Sequence, residues 1–125
     1  MKRLPESELE VMKALWECGP DASRLMLEEK LEPFGWAVNT INTYLTRLVK
    51  KGVVAVESHR RSGNLYTALI SKEEYLAFDS RATLLQLYGS PRNFVAALAR
   101  EGLKQNELDD LRQLLNELEG KADAQ

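Results

Sequence analysis

Asn39, Asn42, Thr43, Thr46, Arg47 and Lys50 are the side chains of this sequence whose types and spacing suit a definite chemistry. Short carboxamides, hydroxyls and cations are the groups that reach base edges and phosphates in the major groove of DNA. At about 100° per residue they gather on one side of a helix running from Val38 to Lys50, with Arg47 at the edge. Val38, Ile41, Leu45, Leu48 and Val49 fall on the other side. The segment contains no acid, whereas an ordinary solvated face would mix Glu with Lys. It therefore reads as a recognition helix. Asn39, Asn42, Thr43 and Thr46 are its base-edge candidates, and only the two amides can make a bidentate contact. Thr40, Arg47 and Lys50 suit phosphates, and for Arg47 a neighbouring helix is the alternative.

The elements that must position this helix are visible around it. A first helix is expected from about Glu6 to Glu17, started by Pro5 and Ser7 and stopped by Gly19-Pro20. Its buried stripe is Leu9, Val11 or Met12, Leu15 and Trp16. Asp21 or Ser23 can cap a second helix through about Leu31, with Leu25, Leu27 and Leu31 apolar, before Pro33-Phe34-Gly35 breaks it. Trp16 and Trp36 are expected in the core, and Gly52 is a left-handed cap for the recognition helix. Then the period changes. Residues 53–57 and 65–70 are β-rich, and Ser62-Gly63-Asn64 between them is strong turn chemistry. This predicts a β-hairpin whose basic tip, with His59, Arg60 and Arg61, can track phosphates or the minor groove. Tyr66 is expected to pack inside the hairpin.

Three helices and such a hairpin predict a winged helix-turn-helix over residues 1–70. The overall class is mainly α with a small β-hairpin wing, followed by an all-helical dimerisation region over residues 71–125. Ser71-Lys-Glu-Glu74 reads as a capping box opening a fourth helix that runs to Tyr88. Gly89-Ser90-Pro91 breaks it, a short helix ends at Gly102, and a last one runs from about Gln105 to Leu118, with 120–125 frayed. Three short helices offer too little interior for Tyr75, Phe78, Leu84, Leu85, Phe94, Leu98, Leu108, Leu111, Leu115 and Leu118. Exposed stripes of this kind usually mark an interface, so these residues are expected to form a homodimer. A dimer would also present two recognition helices to the half-sites of an inverted repeat in double-stranded DNA.

At 125 residues, 44% hydrophobic and 29% charged, the composition is that of an ordinary globular chain. The net charge of −2 argues against a nucleic-acid partner, but its distribution argues for one. Between residues 36 and 70, Arg47, Lys50, Lys51, Arg60 and Arg61 face Glu57 alone, a local charge of +4. No apolar run approaches the roughly 20 residues of a membrane span, and Met1-Lys-Arg-Leu-Pro5 leads into a polar helix rather than a secretory apolar core. A cytoplasmic location without membrane attachment is expected. Cys18 and His59 are each alone in the chain, so no internal disulfide, thiolate cluster or nucleophile–base set can be assembled. No glycine-rich phosphate loop appears. Neither enzymatic activity nor a cofactor is expected, and metal sensing would need ligands from two subunits around Cys18 or His59.

The chain also resembles the BlaI/MecI penicillinase-repressor family of winged-helix regulators. The resemblance rests on Glu8-Leu-Glu-Val-Met12 with Trp16, and on the run from Trp36 to Gly52 that includes Thr46-Arg-Leu-Val-Lys-Lys-Gly52. Gly63, Tyr66, Ser71, Glu74 and Tyr75 continue it, and Leu103 to Leu111 resembles the family's last helix. It is strong over residues 5–75 and looser beyond. The resemblance implies a dimeric repressor on inverted repeats in promoters, released when a sensor-linked regulatory protease cleaves its C-terminal helical region. Two departures stand out. Positions 39 and 42 are Asn where better-known members carry Lys and Arg, which should weaken phosphate contacts. The Asn93-Phe94 dipeptide lies about three residues before Ala96-Ala97, where the family's susceptible Asn–Phe bond aligns. The C-terminal cysteine cluster of a copper-responsive branch is absent. Two other readings stay open: a winged-helix module whose polar face binds protein, and a ligand-gated regulator.

Overall fold

The computed structural model describes residues 1–123. In chain order it comprises α1 (Glu6–Cys18), β1 (Ala22–Ser23), α2 (Arg24–Lys30), a 3-10 turn (Glu32–Phe34), α3 (Val38–Lys50), β2 (Val54–His59), β3 (Gly63–Ala68), α4 (Lys72–Thr83), α5 (Pro91–Gly102) and α6 (Gln105–Asp123). The chain divides into two compact units, Met1–Ser80 and the remainder from Arg81.

The first unit is a winged helix-turn-helix. Its core takes Val11, Met12 and Leu15 from α1, Leu27 from α2, Ile41, Leu45 and Leu48 from α3, and Val54 and Tyr66 from the hairpin. Each set follows the period of its element, so burial of one stripe per helix fixes three mutual orientations at once. Leu25, apolar like Leu27, is 66% exposed. Two residues from Leu27 it points to the far side of a helix, and α2 has only one covered face. Val38 is likewise exposed. Trp16 and Trp36 are half-buried against the core, and the Trp16 indole N–H donates to the Ile70 carbonyl at 2.9 Å.

The sheet is three-stranded and antiparallel in the order β1-β3-β2. β1 is too short to leave a period in the sequence. It exists because Ala22 pairs with Tyr66 and Ser23 with Leu65, while the Asp21 N–H, at φ +55, donates to Thr67 Oγ1 at 3.0 Å. The wing is longer than its apolar residues suggest. β2 and β3 stay paired out to His59 and Gly63, leaving only residues 60–62 as the turn. Gly63 has φ +73, the left-handed value that lets so short a connection close.

Between β3 and α4 the capping box forms in both directions. The Ser71 hydroxyl accepts from the Glu74 N–H at 3.0 Å, and the Glu74 carboxylate accepts from the Ser71 N–H at 3.1 Å. The first turns of α4 lie in the first compact unit, which reaches Ser80, whereas the expected boundary is at residue 70. Tyr75, expected at a dimer interface, is only 2% exposed. Its hydroxyl accepts from the Leu4 N–H at 3.0 Å, and its ring lies 6.1 Å from that of Trp16. Phe78, also expected at that interface, packs against the same core with its ring 6.1 Å from Tyr75. Both aromatics close the first unit instead.

In the second unit the fourth helix does not continue regularly to Tyr88. Residues 84–88 widen into a π turn, closed by the Gly89 N–H donating to the Leu84 carbonyl. Ser90 caps α5 by accepting from the Asn93 N–H at 3.1 Å. α6 runs on to Asp123, past the expected end at Leu118; Ala124 and Gln125, expected to be frayed, lie outside the described residues. Among the described residues of this unit no hydrophobic side chain is fully buried. Leu108 and Leu111 are half-buried, and Leu85, Phe94, Leu98, Leu115 and Leu118 are exposed.

The end of α3 is tied to the start of α1 by a buried carboxylate. Glu8 is 2% exposed, and its Oε1 accepts from Lys51 Nζ at 2.5 Å. As the third residue of α1, Glu8 also sits in the favourable field of that helix's N-terminus. Removing the cation alone strands the charge, whereas removing both partners does not. Lys51→Met should therefore lower unfolding stability by about 1–3 kcal/mol, and adding Glu8→Met should restore most of the loss. Denaturant titration of the two variants checks this, and a Lys51→Met protein as stable as its parent contradicts it.

Candidate nucleic-acid interface

Seating Ile41, Leu45 and Leu48 in the core turns the opposite side of α3 outward. Asn39, Thr43, Thr46, Arg47 and Lys50 are exposed there, with Thr40 and Asn42 half-buried at its margins. The candidates of the recognition helix thus share one continuous face. Two of them have their donors already engaged. Thr43 Oγ1 donates to the Asn39 carbonyl at 2.9 Å, and Thr46 Oγ1 to the Asn42 carbonyl at 2.8 Å. Each hydroxyl is left with lone pairs that accept, and each threonine with a methyl suited to a thymine methyl. The carboxamides of Asn39 and Asn42 make no side-chain hydrogen bond among the described residues, and so keep both donor and acceptor for a partner.

The N-terminus of α3 carries no side-chain cap, since Ala37 occupies the cap position, and its first turn holds no acid. Arg47 and Lys50 fall in the last turn, where the helix field favours cations. Beside this face the Trp36 ring stacks on Phe34 at 4.8 Å and meets Tyr44 edge-on at 5.1 Å. The Arg47 guanidinium lies 6.0 Å from the Tyr44 ring. That contact holds Arg47 against its own helix, not a neighbouring one, with the cationic end exposed.

The wing supplies a second basic group. Arg60 and Arg61 occupy the exposed turn, and neither they nor Arg47 and Lys50 form an ion pair among the described residues. His59 sits at the last pair of the ladder, its Nε2 3.7 Å from Glu57 Oε2, so part of its field is offset when it is protonated. Lys51, counted in the local charge of +4, is engaged by Glu8 and contributes less to this face.

A groove of about 580 Å³ runs between α2, the middle of α3 and the wing turn. Asn42 and Thr46 line it from α3, Ser62 and Asn64 from the wing, and Arg24 and Glu28 from α2. The nearness of α2 to this face is tertiary, and no periodicity in the sequence reports it. As for other chemistry, the described residues hold no group of three or more His, Cys, Asp or Glu side chains able to hold a metal ion. Burial raises the pKa of the Cys18 thiol, against the pull of Lys30, so it is poorly placed to act as a thiolate. No helix among the described residues is long and apolar enough to cross a membrane.

A family model described as penicillinase repressor matches residues 4–117. The penicillinase repressor of Bacillus licheniformis is 31% identical over 124 residues, covering 94% of each chain. The methicillin resistance regulatory protein MecI of Staphylococcus aureus (strain N315) is 26% identical, covering 90% of this chain and 93% of that one. Among solved structures, the multiple antibiotic resistance repressor MarR matches with a TM-score of 0.50 over 92% of this chain and 76% of that one. At 15% identity, that is a likeness of fold alone. With a winged-helix unit that presents a polar, acid-free recognition helix, the chain is a DNA-binding transcriptional repressor and belongs to the penicillinase repressor family.

Proposed function

We propose that this protein represses transcription as a homodimer on an inverted-repeat operator, its two α3 helices lying in successive major grooves. The observation that carries the reading is the exposed face of α3, which offers amides, hydroxyls and no carboxylate, with cations that form no ion pair among the described residues. Asn39, Asn42, Thr43 and Thr46 read bases; Thr40, Arg47 and Lys50 hold phosphates; His59, Arg60 and Arg61 follow the backbone from the wing. Repression is by occupancy, since a dimer on a promoter blocks polymerase. With DNA as its target, the protein acts in the cytoplasm.

The second unit is the proposed dimerisation region. With no fully buried hydrophobic residue of its own among those described, it needs another surface to cover Leu98, Leu115 and Leu118. Leu84, Leu85, Phe94, Leu108 and Leu111 complete that apolar set, from which Tyr75 and Phe78 are now removed. Release by a regulatory protease acting on α5 fits the family. In this chain the Asn93–Phe94 bond lies in the first turn of the helix, with Asn93 Nδ2 donating to the Tyr88 carbonyl at 2.9 Å and the Phe94 ring 5.1 Å from Tyr88. Cleavage there requires that turn to open first.

Operator affinity should fall steeply with salt, at a log–log slope of about −4 to −7 for roughly four to eight phosphate contacts per dimer. Thr43→Ala/Arg47→Ala should abolish specific binding while melting temperature and dimer mass stay unchanged. A slope near zero, or unaltered binding by the double variant, would favour a protein partner for this face. Leu115→Glu/Leu118→Glu should halve the sedimenting mass and weaken operator binding at least tenfold with the circular dichroism of the first unit retained. A parent that sediments as a monomer at micromolar concentration contradicts the dimer.

A further inference from the structure

We propose that operator binding by this protein is proton-linked: His59 takes up a proton as the wing engages DNA, and the imidazolium offsets Glu57, the wing's one carboxylate. The proposal rests on the DNA-binding reading above and adds to it a dependence on pH.

The residue inventory is the first argument. His59 is the single histidine of the chain, and histidine is the side chain whose ordinary charge change falls between about pH 5 and 8. Glu57 is the only acid between residues 36 and 70. Arg47, Lys50, Arg60 and Arg61 belong to types that keep their charge throughout that range. The charge that the recognition helix and the wing offer to DNA near neutrality is therefore set by one imidazole.

Geometry is the second argument. Glu57 and His59 lie two apart on β2, so both side chains leave the same face of the hairpin. Glu57 pairs with Leu65 and His59 with Gly63, which holds both residues on the ladder and not in the turn. His59 Nε2 is 3.7 Å from Glu57 Oε2, close enough for Coulomb attraction and too long for a hydrogen bond. His59 is 44% exposed and Glu57 72%. So exposed a pair adds little to the stability of a hairpin already closed by its ladder and Gly63.

The groups around His59 give the linkage its sign. Glu57 attracts an imidazolium at this position, whereas Arg60 and Arg61, next in the chain, repel one. At this end β3 presents Gly63, Asn64 and Leu65, none of them titratable. Among the described residues no other carboxylate lies within ion-pair distance of the imidazole. Phosphates drawn to Arg60 and Arg61 offset that repulsion and add anions of their own, so DNA favours the proton. By reciprocity the proton favours DNA to the same extent. With the imidazole neutral, the Glu57 carboxylate is unopposed and repels an approaching phosphate strand. Affinity is thus highest at the acid end of the histidine range and falls as pH rises through it.

The test measures affinity of the full chain for a selected operator duplex at fixed potassium chloride across that range. Parental affinity should fall roughly tenfold from about pH 6 to about pH 8, for uptake of up to about one proton per subunit. Calorimetry in two buffers of different ionisation enthalpy should register that uptake directly. His59→Gln should remove both the pH dependence and the proton uptake. His59→Lys, with a fixed cation, should hold the parent's acid-end affinity across the whole range. Glu57→Gln should tighten binding severalfold at the alkaline end, where the carboxylate is otherwise unopposed. A parental affinity that is flat with pH, or a His59→Gln profile that still follows the parent's, overturns the linkage and leaves the DNA reading standing. A parent that binds no duplex at any pH overturns both.

Discussion

The position of α3 rests on burial of a narrow apolar stripe, Ile41, Leu45 and Leu48, against α1 and the hairpin. Each such side chain is worth about 1.5–3 kcal/mol when fully removed from water. The three together outweigh the Glu8–Lys51 pair, whose Coulomb attraction is largely offset by the desolvation of Glu8. The stripe thus sets how firmly the helix is held, and the ion pair adds a fixed point at its C-terminal end. Because the whole hold is on one side, the other side is free of structural duty. Its side chains can be chosen for a partner without cost to the fold, which is why a helix of thirteen residues can be both a core element and a reading head.

Rigidity at the wing follows from the same economy. A three-stranded sheet whose third member is two residues long has little area, yet β1 pins the turn before α2 to β3. α2, the wing and α3 thereby meet around one groove instead of lying on separate faces. Tyr75 and Phe78 perform the corresponding task on the far side, closing the core with aromatic rings and capturing the N-terminal Leu4 through a single hydrogen bond. The second unit has no buried apolar residue among those described, and several of its leucines are exposed.

Much of this was legible in the residues. The bounds of α3 follow from one uninterrupted 3.6-residue pattern ended by Gly52, at φ +80. The capping box at Ser71 and Glu74 is a local motif whose two hydrogen bonds need no tertiary information. Failures occurred where tertiary structure decides. Leu25 and Val38 are apolar by type but lie where no neighbour covers them. The wing strands run through polar residues because ladder hydrogen bonds are indifferent to side chains. Tyr75 reads as an interface residue in the sequence because apolar content alone cannot tell an internal partner from an external one. The approach of Arg24 and Glu28 to Asn42 and Thr46 depends on a two-residue strand that leaves no signal.

The central claim is that the polar face of α3 reads an operator twice, once from each subunit. Selection from a pool of random duplexes with the full-length protein tests it most directly. The account predicts an enriched inverted repeat with half-site centres about one helical turn, or a multiple of it, apart. Enrichment should collapse when Asn42 and Thr43 are replaced by Ala. A pool that yields no motif, or one that yields the same motif with those side chains removed, would contradict it.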